Sequence, residues 1–248
     1  MDRMIYTAMT GLKHAMKQQA TTSHNLANAT TTGFRAQLDI FRAVPVVSEG
    51  KPTRAFVVDS TVGADFTVGA ISHTERPYDI AIKTKGWFAV QMPDGSEAYT
   101  RHGSFDVAPN GLLQTKSGLP VLDIAGAPVA IPPDVRLIIG RDGSIATIDE
   151  ATSPKTVTNV TQLKLVNPPE KEMIRGDDTL FRRRDGAIAE ADENVVVVQG
   201  ALESSNVNVA DTLVSLISVA RHFDAQMGIL KNAESNAARA TQILSLST

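Results

Sequence analysis

The 248-residue sequence predicts a mixed fold, in which long N- and C-terminal helices form a coiled-coil assembly domain and the centre is an all-β domain. Three observations predict it. Apolar residues at both ends recur at alternating spacings of three and four, the period of a helical seam. In the middle the period falls to two, in short runs. Turn signals built on glycine and asparagine or aspartate separate those runs, as between short antiparallel strands. The boundaries that follow are residues 1–60 for the first helix and an extended connector, 61–204 for the β domain, and 205–248 for the second helix.

At the N-terminus the seam reads Ile5, Ala8, Leu12, Ala15, Gln19, Thr22 and Leu26, widened by Met9 and Met16. Small Ala8 and Ala15 allow a partner helix to come close, and Asn28 and Gly33 tolerate the left-handed backbone that ends a helix. Between Arg35 and Thr61 no period is sustained and Pro45, Gly50 and Pro52 interrupt, which reads as an extended connector. From Ala64 the alternation begins. Phe66, Val68 and Ala70, then Ile80 and Ile82, Phe88 and Val90, and Phe105 and Val107 mark strands, with more at Val135 to Ile139, Ile145 to Ile148, Leu163 to Val166 and Val195 to Gln199. Pro93-Asp94-Gly95, Pro109-Asn110-Gly111, Asp142-Gly143 and Asp185-Gly186 supply turns, and Trp87 belongs to the β core. The span from Thr61 to Gln199 is long enough to fold alone.

The C-terminal helix is the longest element, about 37 residues and some 55 Å at 1.5 Å per residue. Asn208 caps it and Asp211 places negative charge at the positive end of its dipole. Its seam is Leu213, Leu216, Ala220, Phe223, Met227, Leu230, Glu234, Ala237, Thr241 and Leu244. A rod of that length needs partners along it, because ordering its backbone costs more than one apolar stripe returns.

Composition narrows the function. The net charge of −3 argues against a general nucleic-acid binder. It divides unevenly: residues 1–60 carry 7 basic and 4 acidic side chains, residues 61–204 carry 14 and 20, and residues 205–248 carry 3 and 3, so the last segment suits packing better than solvation. With no cysteine there is neither a disulfide framework nor thiolate chemistry. The five histidines show no metal-ligand spacing, and neither a nucleophile elbow, a phosphate-binding loop nor a dinucleotide fingerprint is present. Arg101-His102-Gly103-Ser104 reads as a hairpin connection rather than an active-site loop. No catalytic, cofactor-binding or metal residue is nominated. The N-terminus lacks the apolar core of a cleaved signal and no run is long enough to span a membrane, so any export proceeds without one.

The two ends carry the distinctive motifs. Ser23-His24-Asn25-Leu26-Ala27-Asn28-Ala29-Thr30-Thr31-Thr32-Gly33-Phe34-Arg35 resembles the Asn-Leu-Ala-Asn signature of bacterial flagellar rod and hook proteins, and Leu202-Glu203-Ser204-Ser205-Asn206-Val207-Asn208 is similar to the motif that opens their C-terminal helix. Thr61-Val62-Gly63, Gly86-Trp87-Phe88, Tyr99-Thr100-Arg101, Gly103-Ser104-Phe105 and Gly111-Leu112-Leu113 follow the pattern of that family's β domain, so the resemblance covers essentially the whole chain. The opening Met1 to Met9, Phe34 to Gln37, Arg42 to Pro45 and Ala220 to Met227 look most like the family's proximal-rod members.

The resemblance implies a non-enzymatic structural subunit of the proximal rod of the flagellar basal body, polymerising through its terminal helices to transmit motor torque. It implies other proximal and distal rod subunits, copies of the same chain and the flagellar type III export apparatus as partners, in a rod crossing the periplasm. It implies neither nucleic acid, small-molecule substrate nor cofactor. Asn25, Leu26, Ala27, Asn28, Gly33, Phe34 and Asn206 are the assembly-motif residues it nominates. Ile5, Ala8, Leu12, Ala15, Leu213, Leu216, Ala220, Phe223, Met227, Leu230 and Leu244 are the seam.

Overall fold

The computed structural model of the chain describes residues 2–45, 55–133, 135–149 and 157–246. In chain order they form α1 (Asp2–Ala27), β1 (Gln37–Pro45), β2 (Ala55–Ala64), β3 (Ile71–His73), β4 (Ile80–Ile82), β5 (Trp87–Gln91), β6 (Glu97–Thr100), β7 (Phe105–Val107) and β8 (Leu113–Thr115). There follow β9 (Val135–Ile139), β10 (Ser144–Asp149), β11 (Val157–Gln162), β12 (Leu165–Val166), a 3-10 turn at Glu170–Glu172, β13 (Met173–Arg175), β14 (Phe181–Arg183), β15 (Val197–Gln199), β16 (Ala201–Glu203) and α2 (Val209–Leu246). They divide into two compact units. The first holds Met1–Ala29, Gln37–Asp65 and Val207–Thr248; the second holds Thr30–Ala36 and Phe66–Asn206.

In the first unit α1 and α2 pack on each other, and a long antiparallel hairpin, β1 with β2, packs on α1. Asn208 caps α2 as its sequence position requires: its Oδ1 accepts from Ala210 N at 3.0 Å and Asp211 N at 3.4 Å. Small residues set the approach of the helices. Ala8 and Ala15 are buried on α1, and a Cβ at Gly11 would come within 3.2 Å of the Gln226 side chain. The hairpin is tied to α1 by His14, whose Nε2 lies 2.6 Å from Val57 O and whose ring meets Phe41 edge-on at 5.3 Å.

Two expectations are corrected here. Between Arg35 and Thr61 the chain is not an extended connector, since β1 and β2 pair in register from Gln37↔Ala64 to Pro45↔Ala55; residues 46–54, including Gly50 and Pro52, lie outside the described residues. The mixed class and the β-rich centre stand, but no long coiled coil forms among the described residues. Among the described residues there are two helices, of 26 and 38 residues, and the inward side of the longer takes only part of the expected stripe. Leu213, Ala220 and Glu234 are exposed, while the inward side of α2 runs Leu216, Val219, Phe223, Gln226, Leu230 and Ala233. The physical reason is that α2 carries apolar residues on more than one side. Leu213, Val214 and Ile217 face away from α1 at 44, 67 and 54% exposure, so three-and-four spacing alone does not single out the buried stripe.

The second unit is built on a five-stranded antiparallel sheet in the order β12-β5-β6-β14-β13, with a three-stranded sheet β11-β10-β9 and the pairs β15-β4, β16-β3 and β7-β8. Its core gathers Ile80, Phe88, Phe105, Leu113, Ile145 and Leu163 with a dozen further apolar residues. In β5, Trp87, Phe88, Ala89 and Val90 are all buried, so this strand is covered on both faces. Tight turns sit where the sequence places them: Asp142 Oδ1 accepts from Ser144 N at 3.1 Å and Oγ at 2.7 Å, and Gly143 takes φ +82° between β9 and β10.

Two strand readings change. Phe66, Val68 and Ala70 form no strand, because the polar groups of this stretch are held by Glu203 and Ser204 instead. Arg101-His102-Gly103-Ser104 is a crossover from β6 to β7, in different sheets, rather than a hairpin. Gly103 packs directly on the backbone of Ile80, whose N donates to Gly103 O at 2.9 Å.

Candidate assembly site

The nominated motif begins at the end of α1. Asn28 N bonds to His24 O and Asn25 O, both at 3.2 Å, and its Nδ2 donates to His24 O at 2.9 Å, so one side chain and its own amide satisfy carbonyls left open at the helix C-terminus. Asn25 works laterally. Its Oδ1 accepts from Gln37 N at 2.8 Å and its Nδ2 donates to Gln37 O at 2.9 Å, a side-chain amide paired with a backbone amide at the first residue of β1. Leu26 is half-buried and Ala27 exposed.

Gly33, Phe34 and Asn206 meet in the second unit. The segment Thr30–Ala36 lies there as a strap on the stretch from Glu203 to Asn206. Gly33 N donates to Glu203 O at 2.7 Å, Asn206 N to Phe34 O at 3.3 Å, and Ala36 N to Asn206 Oδ1 at 2.7 Å. The other end of the Asn206 amide donates to Thr67 O and Oγ1 at 3.1 and 3.2 Å. Arg175 Nη1 donates to Arg35 O at 2.8 Å, and its guanidinium stacks 4.4 Å from the centre of the buried Phe34 ring. Gly33 adopts φ +68°, with the Arg101 backbone where a side chain would be.

Under the strap lies an ion-pair cluster that sequence reasoning missed. Arg35 and Glu203 are 2% and 1% exposed and meet at 2.6 Å; Arg101 Nε lies 3.0 Å from the other carboxylate oxygen, and Gly69 N donates to Oε1 at 2.8 Å. Burial pulls the Arg101 guanidinium down to about 10, against Glu203, which raises it, and with Arg35, which lowers it further. Trp87 flanks the cluster, stacked 4.4 Å from Phe181 and edge-on to Phe66 at 6.0 Å. All three charged residues lie inside quoted motifs, at Gly33-Phe34-Arg35, Tyr99-Thr100-Arg101 and Leu202-Glu203. Charge inside otherwise small or apolar motifs was the available signal.

The seam residues divide. On α1, Ala8 and Ala15 are buried and Ile5 and Leu12 half-buried; on α2, Leu216, Phe223, Met227 and Leu230 are half-buried, Leu213 and Ala220 exposed, and the Leu244 side chain lies outside the described residues. Among the described residues no group of three or more histidine, aspartate or glutamate side chains is placed to hold a metal, and no helix is long and apolar enough to cross a membrane.

The described residues thus offer helices with exposed apolar faces, a β unit, and a cluster that clasps chain segments together. Comparison with known proteins gives the kind of protein this is. Residues 5–35 match the family described as flagella basal body rod protein, residues 81–147 the flagellar hook protein FlgE/F/G D1 domain, and residues 198–243 the flagellar basal body rod FlgEFG protein C-terminal. The chain is 45% identical to the flagellar basal-body rod protein FlgF of Escherichia coli and 42% identical to that of Salmonella typhimurium, over the whole of each chain. To FlgF of Caulobacter vibrioides it is 30% identical over 94% of both. The chain belongs to the flagellar basal-body rod protein family, a family of structural rather than enzymatic proteins that assemble with other rod components.

Proposed function

We propose that the chain is a subunit of the proximal rod, exported by the flagellar type III apparatus and polymerised through its terminal helices with copies of itself and with other proximal and distal rod subunits. The rod it helps build crosses the periplasm and carries motor torque. The observation that carries this reading is the apolar surface left on both helices of the first unit: Leu213, Val214 and Ile217 on α2, and Tyr6, Met9 and Met16 on α1. Exposed apolar residues in a row along an element mark an interaction surface more often than they mark chance. Assembly residues Asn25, Asn28, Gly33, Phe34 and Asn206 act upstream of polymerisation in this reading, by fixing where the helices leave the chain. Leu26 and Ala27, on the last turn of α1, belong to the same helix end.

The test is Leu213→Asp. The side chain is 44% exposed, and a surface change costs within about 0.5 kcal/mol of subunit stability. In the assembled rod the same carboxylate is buried without a partner, at a cost of several kcal/mol. The expected outcome is a folded, exported subunit with failed rod completion and no swimming. Normal motility in the variant removes this face from the assembly.

A further inference from the structure

The cluster beneath the strap is not electrically balanced. Arg35 and Arg101 contribute two positive charges and Glu203 one negative, all three within the buried interior of the second unit. Lys85 stands nearby but is paired with Glu170 at 2.9 Å on the exposed side. Two donors also go unused: Arg35 Nε and Arg101 Nη1 are buried with no hydrogen-bond partner among the described residues. A guanidinium N–H withdrawn from water and left unmade costs more than a neutral one, so such atoms call for an occupant that accepts from them.

There is space for one. A cavity of about 20 Å³ is lined by Arg35 and Arg101 together with Phe66, Trp87 and the paired Lys85 and Glu170, whose charges cancel and leave the excess on the two arginines. That suits a single water-sized or halide-sized occupant. Water accepts only two hydrogen bonds and brings no charge. A halide accepts from every side and cancels the excess positive charge that burial penalises.

We infer that this cavity is a binding site for a single chloride-sized anion, held by Arg35 and Arg101 against the aromatic wall of Trp87 and Phe66. The ion completes the clasp: the Arg35–Glu203–Arg101 cluster joins the Thr30–Ala36 strap to β16, and the anion neutralises what one carboxylate leaves over. Ligands of the folded state stabilise it by mass action, so the clasp tightens with halide concentration rather than with ionic strength in general.

Trp87 is the only tryptophan and is 6% exposed, so its emission reports this site and is shielded from quenchers in bulk solvent. The experiment titrates the full chain with sodium bromide, a heavy-atom quencher, at ionic strength held constant with sodium gluconate. The expected result is saturable quenching that chloride, a weak quencher, reverses competitively. In Glu203→Gln, which keeps the shape and removes the competing carboxylate, half-saturation falls by roughly tenfold or more, as loss of one like charge a few ångströms away requires. Weak quenching that rises linearly with bromide and is indifferent to chloride means that the cavity holds water, and overturns the inference. Unchanged half-saturation in a folded Glu203→Gln overturns it as well, and if that variant does not fold the bromide and chloride titrations of the parent chain decide alone.

Discussion

Gly33 is the residue at which the strap has least freedom. Its φ of +68° is the left-handed region, and the direction a Cβ would take is filled by the backbone of Arg101. For alanine the conformation alone costs about 1–3 kcal/mol, and the strap must also lift from Arg101. Gly33→Ala is therefore expected to lower the urea midpoint of the second unit with little change in the slope of the transition. An unchanged midpoint would mean that the strap does not hold this conformation in solution. Asn28 was legible in the sequence because it solves a local problem, how a helix stops; Gly33 reads the same way but its left-handed backbone serves the strap instead, and Asn25, nominated by the family motif, pairs laterally with Gln37. Arg35, Arg101 and Glu203 were not legible, because their partnership exists only after three distant segments are brought together. A run of residues records local backbone needs and says little about which buried charges will meet. Buried pairs of this kind are weak sources of stability, and removing one partner is what costs.

At the scale of elements, the helices and most strands were legible and their faces were not. Period and capping located α1 and α2 because three-and-four spacing and an Asn208 cap are properties of the helix itself. The inward side of α2 is set by what α1 offers, namely the gap at Gly11, which the Gln226 side chain approaches, and the small buried side chains Ala8 and Ala15. The hairpin β1–β2 was hidden because its alternation, begun at Gln37-Leu38-Asp39-Ile40, is broken by the register shift between Ile40 and Phe41. This assignment separates two substitutions on one helix. Phe223→Asp places a charge on the side of α2 that meets α1 and is expected to cost about 1–3 kcal/mol, the range for an imperfectly paired buried polar group. Leu213→Asp, two turns and more away on the outer side, is expected to leave the same melting curve in place. Circular dichroism at the helix band reads both. Equal loss in the two variants would return α2 to the single seam expected from its sequence.

At the scale of the whole molecule, the two units share one chain that passes between them after Ala29, Ala36, Asp65 and Asn206. The second unit is therefore discontinuous: seven residues, Thr30 to Ala36, complete a unit otherwise drawn from Phe66–Asn206. The span Thr61 to Gln199, which length and alternation lead one to expect to fold alone, lacks that strap, β16 with Glu203, and Asn206. Without them Arg101 loses its carboxylate and β3 its pairing partner. The strap behaves as a bound peptide, since Gly33 N, Phe34 O, Arg35 O and Ala36 N all find partners in the unit and Phe34 and Arg35 are buried there. A fragment of residues 66–206 is accordingly expected to unfold at lower temperature than the same unit in the full chain. A synthetic peptide of residues 29–37, added in excess, raises the midpoint because it binds the folded fragment and not the unfolded one. The same peptide with Arg35→Ala gives little or no rise, because it leaves Glu203 with one cation instead of two and buries less surface. If the fragment melts where the full chain's unit does, or if the two peptides act alike, the strap is a passive connection, and the clasp of Arg35, Glu203 and Asn206 does not hold the unit together.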